Sequence, residues 1–300
     1  MHNYEKVSVL MSTYNEPLDW IREAVDSILN QTYPNIEFII IVDKPDNREL
    51  ILLLEEYKKE NNNIVLIINE KNLGLVESLN KGIQCATGEY IARMDADDIS
   101  ESARIEKQVR YLKENSYNLV GSYFTPFWLD NRKHVCVLPK KDGAIRETFR
   151  HRNCVQHPTW LGEKKVFIEL NGYRNIDACE DFDFLVRVAL TGYRLGNVGE
   201  SLLLYRLNPL SISHQKLYKQ QATMLYISYN YRHNKVITMD EYNKYLNSSK
   251  YRQKCKRLAK MDFYNRSVGL RHLIVFFIPE YISWKISNLI INRVRLTEEK

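Results

Sequence analysis

Five cysteines, at 85, 136, 154, 179 and 255, are scattered through 300 residues, odd in number and never spaced C-x-x-C. This argues against a disulfide scaffold or a thiolate zinc site and predicts reduced thiols in a cytoplasmic setting. The chain also has neither G-x-G-x-x-G nor G-x-x-x-x-G-K-[ST], so any nucleotide must be held without those glycine loops. The opening "MHNYEKVSVLMSTYNE" lacks the charged-then-apolar order of a signal peptide, and no export is expected. Near the end, "LIVFFIPEYISWKISNLII" is interrupted by Pro279, Glu280 and Lys285, which makes it a poor membrane-spanning helix. No internal repeat or low-complexity tract occurs.

With 44% hydrophobic and 27% charged residues, the composition is that of an ordinary globular protein, long enough for one large α/β domain with appendages. Charge is unevenly distributed. Residues 250–300 hold 12 Lys and Arg against 4 Asp and Glu, so with a whole-chain charge of +6 the first 249 residues sum to −2. A basic, aromatic, amphipathic tail suits an anionic membrane surface better than nucleic acid, although a solvated basic helix packed on the main domain fits too.

The first hundred residues alternate regularly. "KVSVLMSTY", "IEFIIIVD", "IVLIIN" and "EYIARMD" are strand candidates. Between them, 17–30, "RELILLLEEYKKE" and "LVESLNKGIQCA" carry helical apolar spacing. Such alternation predicts a parallel sheet, whose ligands gather at the carboxyl ends of the strands. Three polar stretches fall at those ends: "STYNE", "VDKPDN" and "MDADD". After Ser213 the pattern turns helical and Tyr/Lys-rich, which places a boundary near 215.

Asp95 and Asp97 put two carboxylates two positions apart just beyond a strand. Hard oxygen donors of this kind suit Mg²⁺ or Mn²⁺, although acidic turns and helix caps look the same in sequence. Asp98, before "ISESARIEKQVRYL", is expected to start or cap the next helix. A second acidic cluster, Glu180 and Asp181 in "ACEDFDFLVRVAL", is either a general-base site or a helix start favoured by the helix dipole. His157, preceding Pro158, is expected on an extended loop or strand near the substrate.

The strings "VSVLMSTYNE", "LNQTYPNIEFIIIVD", "NLGLVESLNKGI", "GEYIARMDADD", "HPT", "NGYR", "EDFDFLVR" and "YRLNPLSIS" follow one another between residues 6 and 213. Taken together they resemble a family 2 glycosyltransferase of the GT-A fold, especially the enzymes of bacterial exopolysaccharide and capsule biosynthesis. The resemblance implies an α/β, Rossmann-like mixed central sheet flanked by helices. It divides the chain into a transferase domain, 1–214, and a helical, basic, amphipathic region, 215–300. Within the domain, 1–100 would bind nucleotide and 101–214 the acceptor.

The resemblance also implies roles. Ser12, Tyr14 and Glu16 would line the nucleotide pocket and Asp43 would read the base, while Lys44 and Pro45 depart from the commoner D-G-S continuation. Asn72, Gly74 and Asn80 match the next motif, but Leu79 replaces a frequent Arg, whose contact would fall to Lys81 or Arg93. Asp97 would bind the metal, Mn²⁺ or Mg²⁺, with Asp95 shared between metal and ribose. Asp181 would be the general base, Glu180 would position acceptor or base, and His157 would belong to the acceptor side. Asn208 stands where a His often follows the late Y-R motif, with His214 a substitute. The implied reaction is inverting transfer from a nucleotide-diphosphate sugar, UDP-linked, to a glycan or polyprenyl-diphosphate-linked acceptor, at the inner membrane face. Competing readings are a sugar nucleotidyltransferase, which normally carries a Gly-rich loop where "STYNEPLDW" stands, and a non-catalytic divalent-ion or carbohydrate-binding module.

Overall fold

The computed structural model describes residues 4–129, 131–208 and 216–267, with side chains described as far as residue 259. Two compact units emerge. The first takes the described residues up to Asp142, then Val155–Asn175 and Thr191–Asn208. The second takes Gly143–Cys154, Ile176–Leu190 and the described residues beyond Asn208.

The first unit is built on a nine-stranded sheet. Its leading half is β1 (Val7–Thr13), α1 (Leu18–Leu29), β2 (Ile36–Val42), α2 (Arg48–Glu60), β3 (Ile64–Ile68), α3 (Leu75–Cys85) and β4 (Tyr90–Asp95). These elements fall within a residue or two of the sequence expectation. The reasons are local. The β2 run "IEFIIIV" is β-branched and buried from Phe38 onward, as a strand covered on both faces should be. Ile21, Ala24, Val25 and Ile28 form the buried stripe of α1. Asn47 caps α2 by accepting from the Leu50 amide at 3.2 Å. Gly74 precedes α3 at a φ of +85°, a conformation that side chains resist.

Strand order runs β3-β2-β1-β4, all parallel, and the core of Val9, Met11, Ile40, Val42, Ala92 and Met94 packs with the buried faces of α1 and α2. Beyond β4 the sheet becomes mixed. β8 (Leu161–Glu163) is antiparallel to β4 and to β6 (Leu119–Trp128), and β9 (Leu195–Arg206) is parallel to β6. The short β5 (Ile99–Ser100) closes this edge against β9, and β7 (Asn131–Arg132) pairs with β6. Helices α4 (Arg104–Glu114) and α6 (Lys164–Glu169) complete the unit.

Two local expectations change. Asp98 does not start a helix: α4 begins at Arg104 after Ala103, because Ile99 and Ser100 are drawn into the sheet by β9. His157-Pro158-Thr159 forms a single 3-10 turn, not an extended loop or strand, with Pro in its first positions and the flanking Gln156 and Trp160 extended.

The second unit is helical: most of α5 (Asp142–Phe149), then α7 (Glu180–Leu190), α8 (Leu217–Arg232), α9 (Met239–Asn247) and α10 (Ser249–Ser267). Phe149 meets Phe182 and Tyr231 edge to face at 5.5 and 6.1 Å. Thr238 and Glu241 form a reciprocal capping box at α9. Tyr226 stacks on Tyr245 at 3.9 Å. His214 and the interrupted apolar stretch at 273–291 lie outside the described residues. Among the described residues, no helix is long and apolar enough to cross a membrane.

A Cβ at Gly88 would lie 2.6 Å from the Lys6 carbonyl and 2.8 Å from the Ser8 amide, both backbone. Gly88→Ala is therefore expected to lose about 1–3 kcal/mol of stability, read as a lower urea midpoint with an unchanged slope.

Candidate active site

The sheet order reverses beside β1, and the chain leaves β1 and β4 there at their carboxyl ends. Register places Ser12 directly across from Asp95 and Thr13 across from Val42. Beyond β1 the chain is tied down by Glu16, whose Oε2 accepts from Thr13 Oγ1 at 2.7 Å and the Tyr14 amide at 2.8 Å. Tyr14 is left 46% exposed. Lys44 lies 5.6 Å over its ring and donates to Asn15 Oδ1 at 2.8 Å.

Asp43 follows β2 and is buried. Its Oδ1 accepts from Asn69 Nδ2 and the Leu73 amide, and its Oδ2 from the Gly74 amide, each at 2.8 Å. These bonds make Asp43 the anchor of the turn into α3. Asn69 is the partner that sequence reasoning missed. It is fully buried, donates also to Ser78 Oγ, and accepts from Lys81 Nζ at 3.1 Å. Asn72 is exposed, with Oδ1 accepting from Gly74. Asn80 instead clamps the Tyr173 backbone, donating to its carbonyl at 2.9 Å and accepting from its amide at 2.8 Å.

At the end of β4, Asp95, Asp97 and Asp98 each offer a carboxylate oxygen, all within 4.8 Å of one another. Asp98 is fully buried. Its Oδ1 accepts from the Arg206 amide at 2.8 Å, while Oδ2 has no hydrogen-bond partner. An orphaned buried carboxylate oxygen beside two others fits a hard divalent cation, for which oxygen is the preferred donor. Burial, then the charges of Asp95 and Glu16, push the Asp97 carboxyl up to about 7. Burial, with Asp95 and Asp97 beside it, raises Asp98 well above the usual carboxylate range.

Arg206 braces this turn. Its Nε donates to the Asp97 carbonyl at 2.6 Å and its NH2 pairs with Glu23. Its guanidinium lies 4.8 Å from the Trp20 ring centroid and 4.4 Å from that of Phe127. Asn208, in the position noted for a His, donates to Asp97 Oδ2 at a long 3.4 Å. Arg206 stands in the "YRLNPLSIS" string, but nothing local in that string reveals that its side chain returns to residue 97.

Arg93 is not a surface phosphate contact: its side chain is 3% exposed and pairs with Asp95. His157 is also buried, with Nε2 at 2.9 Å from the Tyr173 hydroxyl and its ring 4.6 Å from Trp160. Burial and the nearby Arg93 hold its pKa well below the ordinary value, so it is neutral.

Glu180 and Asp181 lie in the second unit, half-buried at the start of α7. The preceding Ala178 is left-handed at a φ of +57°, and its carbonyl accepts from Gln220 of α8 at 2.9 Å. Asp181 Oδ1 accepts from the Phe182 amide at 2.6 Å and Oδ2 from Asn153 Nδ2 at 2.8 Å. Asn153 carries no sequence signal for this contact.

The sequence profile described as Glycosyl transferase family 2 matches residues 8–170, more than half of the chain. The chain belongs to this family. An uncharacterized glycosyltransferase of Methanocaldococcus jannaschii is 35% identical over 222 residues, covering 71% of this chain and 76% of its own. The O-antigen biosynthesis glycosyltransferase WbnJ of Escherichia coli is 30% identical over 210 residues, 68% of this chain and 80% of its own. In three dimensions, a mannosyltransferase of Pyrobaculum calidifontis, solved with GDP-Man and Mn²⁺, superposes with a TM-score of 0.61 at 14% identity. That match spans 96% of this chain and 81% of the other, and it places this family 2 glycosyltransferase among GT-A folds.

Because the Asp97 carboxyl is pushed up to about 7, a proton competes with any cation there. For a carboxyl with a raised pKa the protonated form is the favoured one, so cation affinity falls as pH drops through 7. Mn²⁺ titrations from pH 8 to pH 6 should weaken by up to about tenfold per unit below 7 and release protons on binding. A flat profile would show that Asp97 is not a ligand.

Proposed function

We propose that this family 2 glycosyltransferase is an inverting, metal-dependent hexosyl or N-acetylhexosaminyl transferase of cell-surface polysaccharide biosynthesis. Its donor is a nucleotide-diphosphate sugar, UDP-linked, and its acceptor a hydroxyl of a glycan or polyprenyl-diphosphate-linked glycan. The observation that carries this reading is the acidic trio at the sheet's switch point, with one buried oxygen left unpartnered. The O-antigen role in the name of WbnJ and the nucleotide-sugar and Mn²⁺ in the Pyrobaculum complex support it. A binding module would need only one acidic cluster, whereas this chain has a second at Glu180 and Asp181.

Asp95, Asp97 and Asp98 would hold the cation, Mn²⁺ or Mg²⁺, which when bound would supply positive charge to stabilise a departing nucleoside diphosphate. Ser12, Tyr14 and Glu16 shape the nucleoside side, where the exposed Tyr14 ring offers a stacking face. Asp43 contributes by holding the 69–74 turn, from which Asn72 reaches the donor, and Lys81 reaches it from α3. Asp181 takes the proton from the acceptor hydroxyl as its oxygen bonds to the anomeric carbon and the bond to the diphosphate breaks. One displacement inverts the centre, so an α-linked donor gives a β-linked product. Glu180 orients the acceptor, and His157 backs the acceptor side through Tyr173.

The deciding experiment screens UDP- and GDP-sugars for Mn²⁺-dependent release of nucleoside diphosphate, with and without EDTA. Release from at least one donor, lost with EDTA, is expected, and silence across all donors would remove the enzyme reading. With the active donor, Asp181→Asn should cut transfer by at least about a hundredfold while donor binding is kept; surviving transfer would refute the base assignment.

The same reading places the protein at the cytoplasmic face of the membrane through its basic C-terminal region. Truncation after residue 249 removes 12 of the 43 Lys and Arg. Loss of co-sedimentation with anionic vesicles is the expected result, and undiminished binding would refute the membrane role.

A further inference from the structure

We propose that Arg93 is a positioning residue for the cation site: its guanidinium holds Asp95 Oδ1 and leaves Oδ2 as the oxygen that Asp95 offers to a divalent cation. The inference rests on the cation reading above. Residues two apart on a strand share a face, so β4 presents Arg93 and Asp95 side by side. They differ in depth: the Arg93 side chain is 3% exposed and that of Asp95 31%. Arg93 therefore lies beneath the carboxylate, out of reach of substrate, and NH1 pairs with Oδ1 from below.

The strand at this point cannot drift. The Arg93 amide donates to the Trp160 carbonyl at 2.9 Å, and the Arg93 carbonyl accepts from Arg104 NH1 at 3.0 Å. The same Arg104 nitrogen donates to the Pro158 carbonyl at 2.7 Å, which ties β4 to the 157–159 turn. Neither Arg93 Nε nor Arg93 NH1 makes a hydrogen bond among the described residues, so NH1 holds Asp95 Oδ1 as a buried ion pair and no bond from Nε draws the guanidinium elsewhere. A guanidinium keeps its charge when buried and is more weakly hydrated than an ammonium, so arginine holds this ion pair at depth better than lysine would. Oriented partners behind a ligand are worth about 10–100-fold in metal affinity.

A second possibility has the opposite sign. A cation 2+ and a guanidinium repel, so if Arg93 merely adds positive charge, removing it tightens binding. Mn²⁺ titration of the full chain by calorimetry, with thermal melts as the folding control, separates the two for wild type, Arg93→Lys and Arg93→Met. Weakening of about 10–100-fold is expected for Arg93→Met, with Arg93→Lys between it and wild type. Binding by Arg93→Met that equals or exceeds wild type would overturn the proposal, as would a lysine variant weaker than the methionine one. Should Arg93→Met not fold, Arg93→Lys decides: weaker Mn²⁺ binding than wild type supports the proposal, and unchanged binding overturns it. Wild type that binds no Mn²⁺ would overturn the cation reading itself, a result distinct from variants that bind normally.

Discussion

Three carboxylates within 4.8 Å of one another repel, and the surrounding structure is arranged around that repulsion. Arg93 pairs with Asp95 from beneath, Arg206 ties down the Asp97 carbonyl and donates its amide to Asp98, and burial raises the pKa of Asp97 and Asp98. A crowded anionic turn of this kind costs stability unless protons or a cation share it. Its persistence at the end of a central parallel strand is the strongest physical argument that it serves a ligand.

The scaffold explains how the turn is held. Asp95 is the last residue of β4, opposite Ser12 of β1, so two central strands fix its backbone. Asp98 leads into β5, whose pairing with β9 brings Arg206 to the turn from more than a hundred positions away. Arg206 is held between Trp20 and Phe127, so α1 and β6 also constrain the acidic residues. The mixed half of the sheet thus sets the geometry of an acidic turn that leaves a strand of the parallel half.

Much of this was legible in the sequence. The alternation of β-branched runs with 3.6-residue apolar stripes located β1 to β4 and α1 to α3, because each element buries a face whose period appears in the residues themselves. The acidic ends of those strands pointed to the ligand side for the same reason. Contacts between distant residues were hidden. Nothing near Asp43 announces Asn69 as its partner, and nothing near Asp181 announces Asn153. Arg93 and His157 read as substrate contacts because polarity is visible in sequence and depth is not; both are buried. Asp98 read as a helix start because an acidic residue before an apolar-periodic run is the usual signal, and the pairing of Ile99 and Ser100 with β9 outweighed it.

The sequence by itself determined the parallel half of the sheet, the family, and the residue types able to bind a cation, since these follow from local periodicity and from motifs in order. Tertiary structure alone decided which of those groups act together. Burial turned Arg93 from a surface cation into a support for Asp95, and strand pairing moved Asp98 from a helix end into the acidic trio. Depth and long-range proximity are properties of the folded chain, set by packing between segments far apart in sequence, and no local pattern encodes them.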